Sequence, residues 1–233
     1  MLPLSRSVSA RGSLRVLAAL LSYPTAETRA HLAEMRDILR GEAALSDTRQ
    51  AEIDALIDAL AGDDALESEA NYVALFDRGR NTSLHLFEHV HGDARERGPA
   101  MIDLAQTYEK AGLYLAPGEL PDYLPAVLEF VSTQPPREAR AFLGKMAHIF
   151  NAIFGALQQR ESPYASVLGA LLELAGETAQ AVKIAAEPPL DESWIEPPVF
   201  DGCSSKGQAK PGQPQPIHVV RRADVKQGQG VSS

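Results

Sequence analysis

Apolar side chains recur at helical spacing along much of this chain, and this periodicity limits its possible folds more than any other feature. Between residues 142 and 157 they fall at positions 0, 4, 7, 8, 11, 12 and 15, on one face of a helix. Residues 164–175 repeat the pattern at 0, 3, 4, 7, 8 and 11. No stretch alternates β-branched and polar residues between hairpin turns. The sequence therefore predicts an all-α fold, with a single multi-helix, bundle-like domain.

Breaks in this periodicity divide the chain into about eight or nine predicted helices joined by short connections. In the first half the predicted helices lie at about residues 14–21, 25–40, 47–61, 65–77, 83–90 and 99–111. The all-helical domain is predicted to cover residues 13–186, after a flexible N-terminus at 1–12. Residues 187–233 are rich in proline and glycine and lack periodicity, which predicts a flexible or extended tail.

The charge balance limits the possible partners. Lysine and arginine number 22 against 31 aspartate and glutamate, a formal net charge of −9. This acidity argues against a nucleic-acid partner and favours a cationic or neutral one. A hydrophobic content of 45% is ordinary for a globular chain with a buried core.

Cysteine usage and hydropathy indicate the compartment. Cys203 is the only cysteine, so an internal disulfide framework and a cysteine-based metal site within one chain are both excluded. The apolar stretch after Gly12 contains Arg15 and lacks a small-residue cleavage site, so it is a poor signal peptide. No run of about eighteen uncharged apolar residues indicates a transmembrane helix. We therefore expect a cytoplasmic protein without stable membrane association.

Residues 119–130 combine prolines, carboxylates and a tyrosine before an apolar helix. Because Pro125 lacks an N–H, it fits a helix only in the first turn. This predicts Asp122 as the N-cap, Tyr123 as the first helical residue and Pro125 as the third. Dipole stabilisation of about 0.3–1 kcal/mol explains acidic groups near a helix N-terminus, but it does not explain Tyr123. Together, Glu119, Asp122 and Tyr123 suit the rim of a groove that grips an arginine-bearing, partly apolar peptide.

A cluster of histidines and acids is a second candidate site. His85 and His89 are four residues apart on a predicted helix and Asp93 follows, a geometry that can bind zinc. The His-Glu-x-x-His order is absent, however, and a helix surface with local hydrogen bonds is the simpler interpretation. The adjoining turn is either a polar connection held by local ion pairs or a functional, anion-binding turn. Its candidate residues are His89, Gly92, Asp93, Arg95 and Arg97.

Four blocks, in order along the chain, resemble one protein family. They are residues 72–77 (YVALFD), 83–93 (SLHLFEHVHGD), 95–98 (RERG) and 119–130 (ELPDYLPAVLEF). Together with their spacing, the blocks are similar to the NarJ-type chaperones that assemble respiratory nitrate reductase, within the wider group of redox-enzyme maturation proteins. The likeness covers about residues 12–186.

The resemblance implies an all-helical protein without catalytic activity or a cofactor of its own. It implies binding to the N-terminal segment of the nitrate reductase catalytic subunit, which keeps the apoenzyme competent for molybdenum cofactor insertion and delays its membrane docking. Cofactor-delivery proteins are further candidate partners.

On this basis we expect the client segment to form an amphipathic helix in an apolar groove, with its basic residues meeting acidic side chains. The expected client-binding residues are Tyr72, Phe76, Glu119, Leu120, Asp122, Tyr123 and Leu124. Two alternatives remain at this stage. One is a helical metal-dependent hydrolase that uses His85, His89 and Asp93, and the other is a structural subunit that stays in the mature enzyme complex.

Overall fold

The computed structural model describes residues 10–90 and 97–180. Within these ranges the chain forms nine α-helices, one π-helical turn and two 3₁₀ turns, without a β-strand. The predicted all-α fold is therefore confirmed. The helices are α1 (Arg11–Leu20), α2 (Ala26–Ala30), α3 (Leu32–Glu42), α4 (Asp47–Gly62), α5 (Ala65–Tyr72), α6 (Arg97–Lys110), α7 (Leu124–Thr133), α8 (Pro136–Gln159) and α9 (Ala165–Ala175).

The core lies where the long helix α8 meets its neighbours. Helix α8 packs most extensively against α9, and α1 packs against α7 and α3. Phe150, Ile153 and Leu157 on the apolar face of α8 are fully buried, as the helical spacing predicted. Removing such a side chain from water contributes about 1.5–3 kcal/mol, so this face supplies much of the stability of the domain.

Helix ends follow the expected capping chemistry with local differences. The Thr25 hydroxyl accepts a hydrogen bond from the Thr28 amide at 3.1 Å, as a predicted helix start requires. The predicted helix 25–40 is interrupted at His31, which separates α2 from α3. The prediction that Asp47 caps the next helix was wrong by one residue, because Ser46 is extended and its hydroxyl accepts the Arg49 amide.

The predicted ends of the domain fall close to the limits of the described residues. The described helices begin at Arg11 and end at Ala175. Residues 1–9 and 181–233, which hold most of the predicted N-terminus and all of the predicted tail, lie outside the described ranges, so these boundaries stay predictions. None of the described helices is long and apolar enough to cross a membrane.

Candidate functional site

Two segments far apart in sequence are joined by backbone hydrogen bonds. The Leu86 amide donates to the Asp122 carbonyl at 3.0 Å, and the Leu124 amide donates to the Leu84 carbonyl at 2.9 Å. Between these bonds His85 and Tyr123 form an antiparallel bridge. The pairing fixes the proline-rich entry to α7 beside residues 84–86 and determines where the side chains of both segments point.

The helix predicted at residues 83–90 was wrong. The chain there is extended at His85 and then forms a 3₁₀ turn, Leu86–Glu88. The His89 ring nitrogen Nε2 lies 2.8 Å from the Ser83 carbonyl oxygen, while His85 faces Asp122. The two histidines are thus not paired on one helix face, because pairing with residues 122–124 satisfies backbone groups that a helix would otherwise satisfy internally.

Asp122 is buried and is not the N-cap of α7. Tyr123 occupies the N-cap position, and Pro125 is the second residue of the helix. The Asp122 side chain is 0% exposed. Its carboxylate accepts the Phe87 amide hydrogen at 3.1 Å, so it serves a turn 35 residues earlier in the chain instead of the end of α7. The N-cap prediction was therefore wrong.

A histidine and an arginine border the buried carboxylate of Asp122. His85 Nδ1 lies 3.4 Å from one carboxylate oxygen, and a guanidinium nitrogen of Arg97 lies 3.8 Å from the other. Arg97 also approaches Glu88 at 3.6 Å. The hydrogen bond to Asp122 raises the pKa of His85 above its usual value, although partial burial opposes the shift. Asp122 therefore holds the segment 85–87 in place through both a hydrogen bond and charge.

A π-helical turn, Val73–Asp77, continues α5. Its wider hydrogen bond joins the Arg78 amide to the Val73 carbonyl at 3.1 Å, five residues apart. The Thr82 hydroxyl donates to the Leu75 carbonyl oxygen and ties the following turn back to this segment. Single π turns within helices are frequent at functional sites.

The π turn and the paired segments border an open groove on the surface, with a volume of about 450 Å³. Most of the side chains along it are aromatic or apolar, and no lysine or arginine of the described residues lines it. We call it the tyrosine groove. Its lining residues are Tyr23, Tyr72, Phe76, Asp77, Leu84, His85, Gly118, Glu119, Leu120 and Tyr123.

The floor of the tyrosine groove is a rigid aromatic cluster. The Tyr72 hydroxyl donates to the Leu21 carbonyl at 2.8 Å and lies 3.1 Å from the Tyr123 hydroxyl. The Tyr72 ring packs against Tyr23 and Phe76 with centroid distances of 5.5 and 4.9 Å. Burial raises the pKa of both Tyr72 and Tyr123, so these hydroxyls stay protonated and the floor stays neutral near pH 7.

The rim of the tyrosine groove is acidic. Asp77 and Glu119 are exposed and make no ion pair with any described residue. The Glu119 carboxylate accepts the Ala116 amide hydrogen at 3.3 Å, which leaves its charge open to solvent. Leu120 stands beside it and is 44% exposed, so its apolar side chain is available for contact. The groove thus joins an apolar floor to two uncompensated negative charges.

The structure brings together five of the seven predicted client-binding residues. Tyr72, Phe76, Glu119, Leu120 and Tyr123 all line the tyrosine groove. Leu124 does not, because it is 0% exposed in the core at the start of α7. Asp122 does not line the groove either, so its carboxylate cannot meet a basic group of a surface-bound peptide directly.

The predicted functional turn is only partly described. His89 and Arg97 are placed as given above, whereas Gly92, Asp93 and Arg95 lie outside the described residues. No group of three or more histidine, cysteine, aspartate and glutamate side chains in residues 10–90 and 97–180 could hold a metal ion. Of the three residues in the metal-site alternative, His85 and His89 are described and contact different partners, whereas Asp93 lies outside the described residues.

Five groove residues were not predicted as part of a peptide site: Tyr23, Asp77, Leu84, His85 and Gly118. Asp77, Leu84 and His85 belong to sequence blocks that carried the family resemblance, so the ordered blocks were the available signal for them. Tyr23 lies three residues after the end of α1 and 49 residues before Tyr72, and no local pattern connects the two. Only the tertiary packing places it at the groove.

This fold of packed helices also occurs in a solved structure. A solved structure from Archaeoglobus fulgidus, described as a redox enzyme maturation protein, superposes with a TM-score of 0.51 at 20% sequence identity. The superposition covers 72% of this chain and 94% of that one. The described domain therefore has the fold of that redox enzyme maturation protein.

The family assignment follows from sequence comparison. The family model for the nitrate reductase delta subunit matches residues 42–169, and the chain belongs to this family. The nitrate reductase molybdenum cofactor assembly chaperone NarJ of Escherichia coli K12 is 40% identical over 198 residues, 84% of each chain. NarW of the same strain is 50% identical over 113 residues, which cover 48% of this chain and 49% of NarW. The resemblance found in the sequence blocks is thereby confirmed.

Proposed function

We propose that this chain is a cytoplasmic chaperone for nitrate reductase assembly and that it acts by binding, not by catalysis. Its tyrosine groove would hold the N-terminal segment of the catalytic subunit, keep the apoenzyme competent for molybdenum cofactor insertion and delay membrane docking. Cofactor-delivery proteins are further proposed partners. The chaperone role rests on similarity to the NarJ protein of Escherichia coli. The observation that carries the binding site is the apolar groove with an unpaired acidic rim.

The groove suits an amphipathic helix. Tyr72, Phe76 and Leu84 form an apolar floor, and helical ligands bind such floors through side chains spaced three or four residues apart. The floor is held by the Tyr72 hydrogen bonds, so it is formed before the ligand arrives. The exposed side chain of Leu120 would be covered by the bound helix, which adds apolar contact area.

The rim selects for positive charge in the ligand. Asp77 and Glu119 have no cationic partner among the described residues. Lysine or arginine side chains of the client would therefore form ion pairs with these two carboxylates. Each exposed pair contributes only about 0.2–1 kcal/mol. Because the floor residues are nearly buried, the exposed apolar side chains of Tyr23 and Leu120 supply most of the contact area and affinity, while the rim sets orientation and the rate of encounter.

Release of the client is part of the proposed role. A client segment that is disordered when free must be ordered on binding, which lowers the net affinity. An exposed rim and an open groove also leave the bound segment accessible to solvent. We therefore expect reversible binding of moderate affinity, which suits a chaperone that must hand over its client.

The proposal is tested by isothermal titration calorimetry with a synthetic peptide from the start of the nitrate reductase catalytic subunit. The double variant Asp77→Asn, Glu119→Gln removes both rim charges without disturbing the buried network. We expect it to weaken binding roughly three- to tenfold and to reduce its salt dependence. Leu120→Asp should weaken binding further, because it places a charge where an apolar contact is expected.

The matched control is Asp103→Asn, Glu109→Gln on the exposed face of α6, which changes the net charge by the same amount away from the groove. It should bind the peptide as the parent chain does. If the parent chain shows no binding, the proposed function is wrong. If the rim variant and the control bind equally well, the site lies elsewhere on the protein.

A further inference from the structure

A second cleft, of about 360 Å³, lies next to the tyrosine groove and has no role in the function proposed above. It is formed by the start of α1, one side of α7 and the loop before α7. We call it the Arg15 cleft. Its lining residues are Arg11, Arg15, Tyr108, Leu113, Tyr114, Leu115, Glu119, Ala126, Glu129, Phe130, Ser132 and Thr133.

The two depressions share a wall. Glu119 lines both, with Leu113, Tyr114 and Leu115 on the side of the Arg15 cleft. Gly118 and Leu120 lie on the side of the tyrosine groove. A chain that leaves the groove over Glu119 therefore enters the Arg15 cleft without crossing another element.

The two arginines of the cleft differ in their partners. Arg11 Nε donates to the Ser132 carbonyl at 3.2 Å, near the C-terminal end of α7, where a cation is favoured. Arg15 lies one turn further along α1 on the same face, is exposed and makes no hydrogen bond or ion pair with any described residue. Arg11 thus stabilises a helix end, whereas Arg15 forms no ion pair with a described residue, and neither of the two glutamates that line the cleft, Glu119 and Glu129, is paired with it.

The cleft also has an apolar floor and an exposed aromatic rim. The rings of Tyr108 and Phe130 pack with centroids 4.8 Å apart, and the Tyr108 hydroxyl donates to the Pro121 carbonyl at 2.7 Å. Tyr114 is 81% exposed, although it lies between the half-buried residues Leu113 and Leu115. Tyrosine and arginine are the residue types that most often dominate protein interfaces.

We propose that the Arg15 cleft binds a second part of the same client segment, and that this part carries a carboxylate together with apolar side chains. The proposal rests on the proposed function of the tyrosine groove and adds a charge pattern to it. The basic, apolar part of the segment lies over Asp77 and Glu119, and the following part places an aspartate or glutamate beside Arg15. Tyr114 then closes over the apolar side chains of the second part.

The test is a thermodynamic cycle with two peptides measured by calorimetry. One is the native peptide from the start of the catalytic subunit, and the other has every aspartate and glutamate replaced by its amide. Arg15→Gln should weaken binding of the native peptide about three- to fivefold and leave the amide peptide unaffected. Arg15→Lys should restore most of the loss, because it keeps the charge. Tyr114→Ala should weaken both peptides by more than about fivefold.

Arg137→Gln, an exposed arginine on α8 away from both depressions, is the matched control. If Arg15→Gln weakens both peptides equally or neither, or if Tyr114→Ala has no effect, this inference is overturned and the proposed function stands. If neither peptide binds the parent chain, both are overturned. Self-association that is abolished by Tyr114→Ala would assign the cleft to a second copy of the chain and would also overturn the inference.

Discussion

Replacing Asp122 by alanine should destabilise the domain although this residue caps no helix. The change removes the acceptor of the Phe87 amide, and a hydrogen bond to a charged group contributes about 1.5–3 kcal/mol. His85 and Arg97, both partly exposed, add less than about 1 kcal/mol together. The alanine variant also avoids the free-energy cost of burying a charged carboxylate, which offsets part of this sum. We expect a net loss of about 1–3 kcal/mol in the free energy of unfolding.

The same network predicts a pH dependence with a defined sign. The pKa of His85 is raised above its unfolded value of about 6.5 by the hydrogen bond to Asp122. The resulting stabilisation is therefore fully present below pH about 6.5 and is lost as the pH rises through the folded pKa. The difference in stability between the parent chain and Asp122→Ala should be larger at pH about 5.5 than at pH about 9.

Urea unfolding, followed by far-ultraviolet circular dichroism at these two pH values, measures both effects. Asp122→Asn keeps an oxygen for the Phe87 amide and should lose about half as much stability as the alanine variant. Asp77→Asn, at an exposed position without a described ion pair, is the control and should stay within about 0.5 kcal/mol of the parent chain. An alanine variant as stable as the parent chain, or a pH effect of the opposite sign, would refute this account of Asp122.

Two further substitutions test the packing around the site. Gly79→Ala should lower the melting temperature measured by circular dichroism. The added Cβ would lie 2.5 Å from the Leu75 carbonyl oxygen and would also clash with the Thr82 hydroxyl. An unchanged melting temperature would contradict the placement of this turn. Phe150→Ala, in the fully buried face of α8, should cost about 3–5 kcal/mol by urea unfolding, and a loss below about 1 kcal/mol would contradict its central position.

The helices could be predicted from sequence because their signals are local. The apolar period of α8 and the Thr25 cap each depend on residues within one or two turns. Errors at helix starts were small where both candidates had similar chemistry, as with Ser46 and Asp47. The periodicity also identified the buried face of α8, since burial follows the helical spacing directly.

The groove was harder to predict from the sequence, because hydrogen bonds between residues far apart in the chain determine its shape. Aspartate is a residue type that favours the N-cap position. Only the hydrogen bond from the Phe87 amide shows that Asp122 is instead a buried acceptor for a distant turn. Residues 83–90 have helical spacing, yet backbone pairing with residues 122–124 removes the helix. In both cases the local preference was real, and a contact about 35 residues away was stronger.

The π turn bears on why Asp77 belongs to the rim, although helical spacing predicted it to continue the period of Ala70, Val73 and Ala74. In a continuous α-helix the Val73 carbonyl would accept the Asp77 amide, four residues on, but here it accepts the Arg78 amide. The extra residue in the turn rotates every later residue by about 100° relative to an α-helix. An α-helical continuation would therefore place Asp77 and the residues after it at a different angle around the helix axis. The acidic rim thus depends on a local departure from α-helical geometry that only the folded structure stabilises.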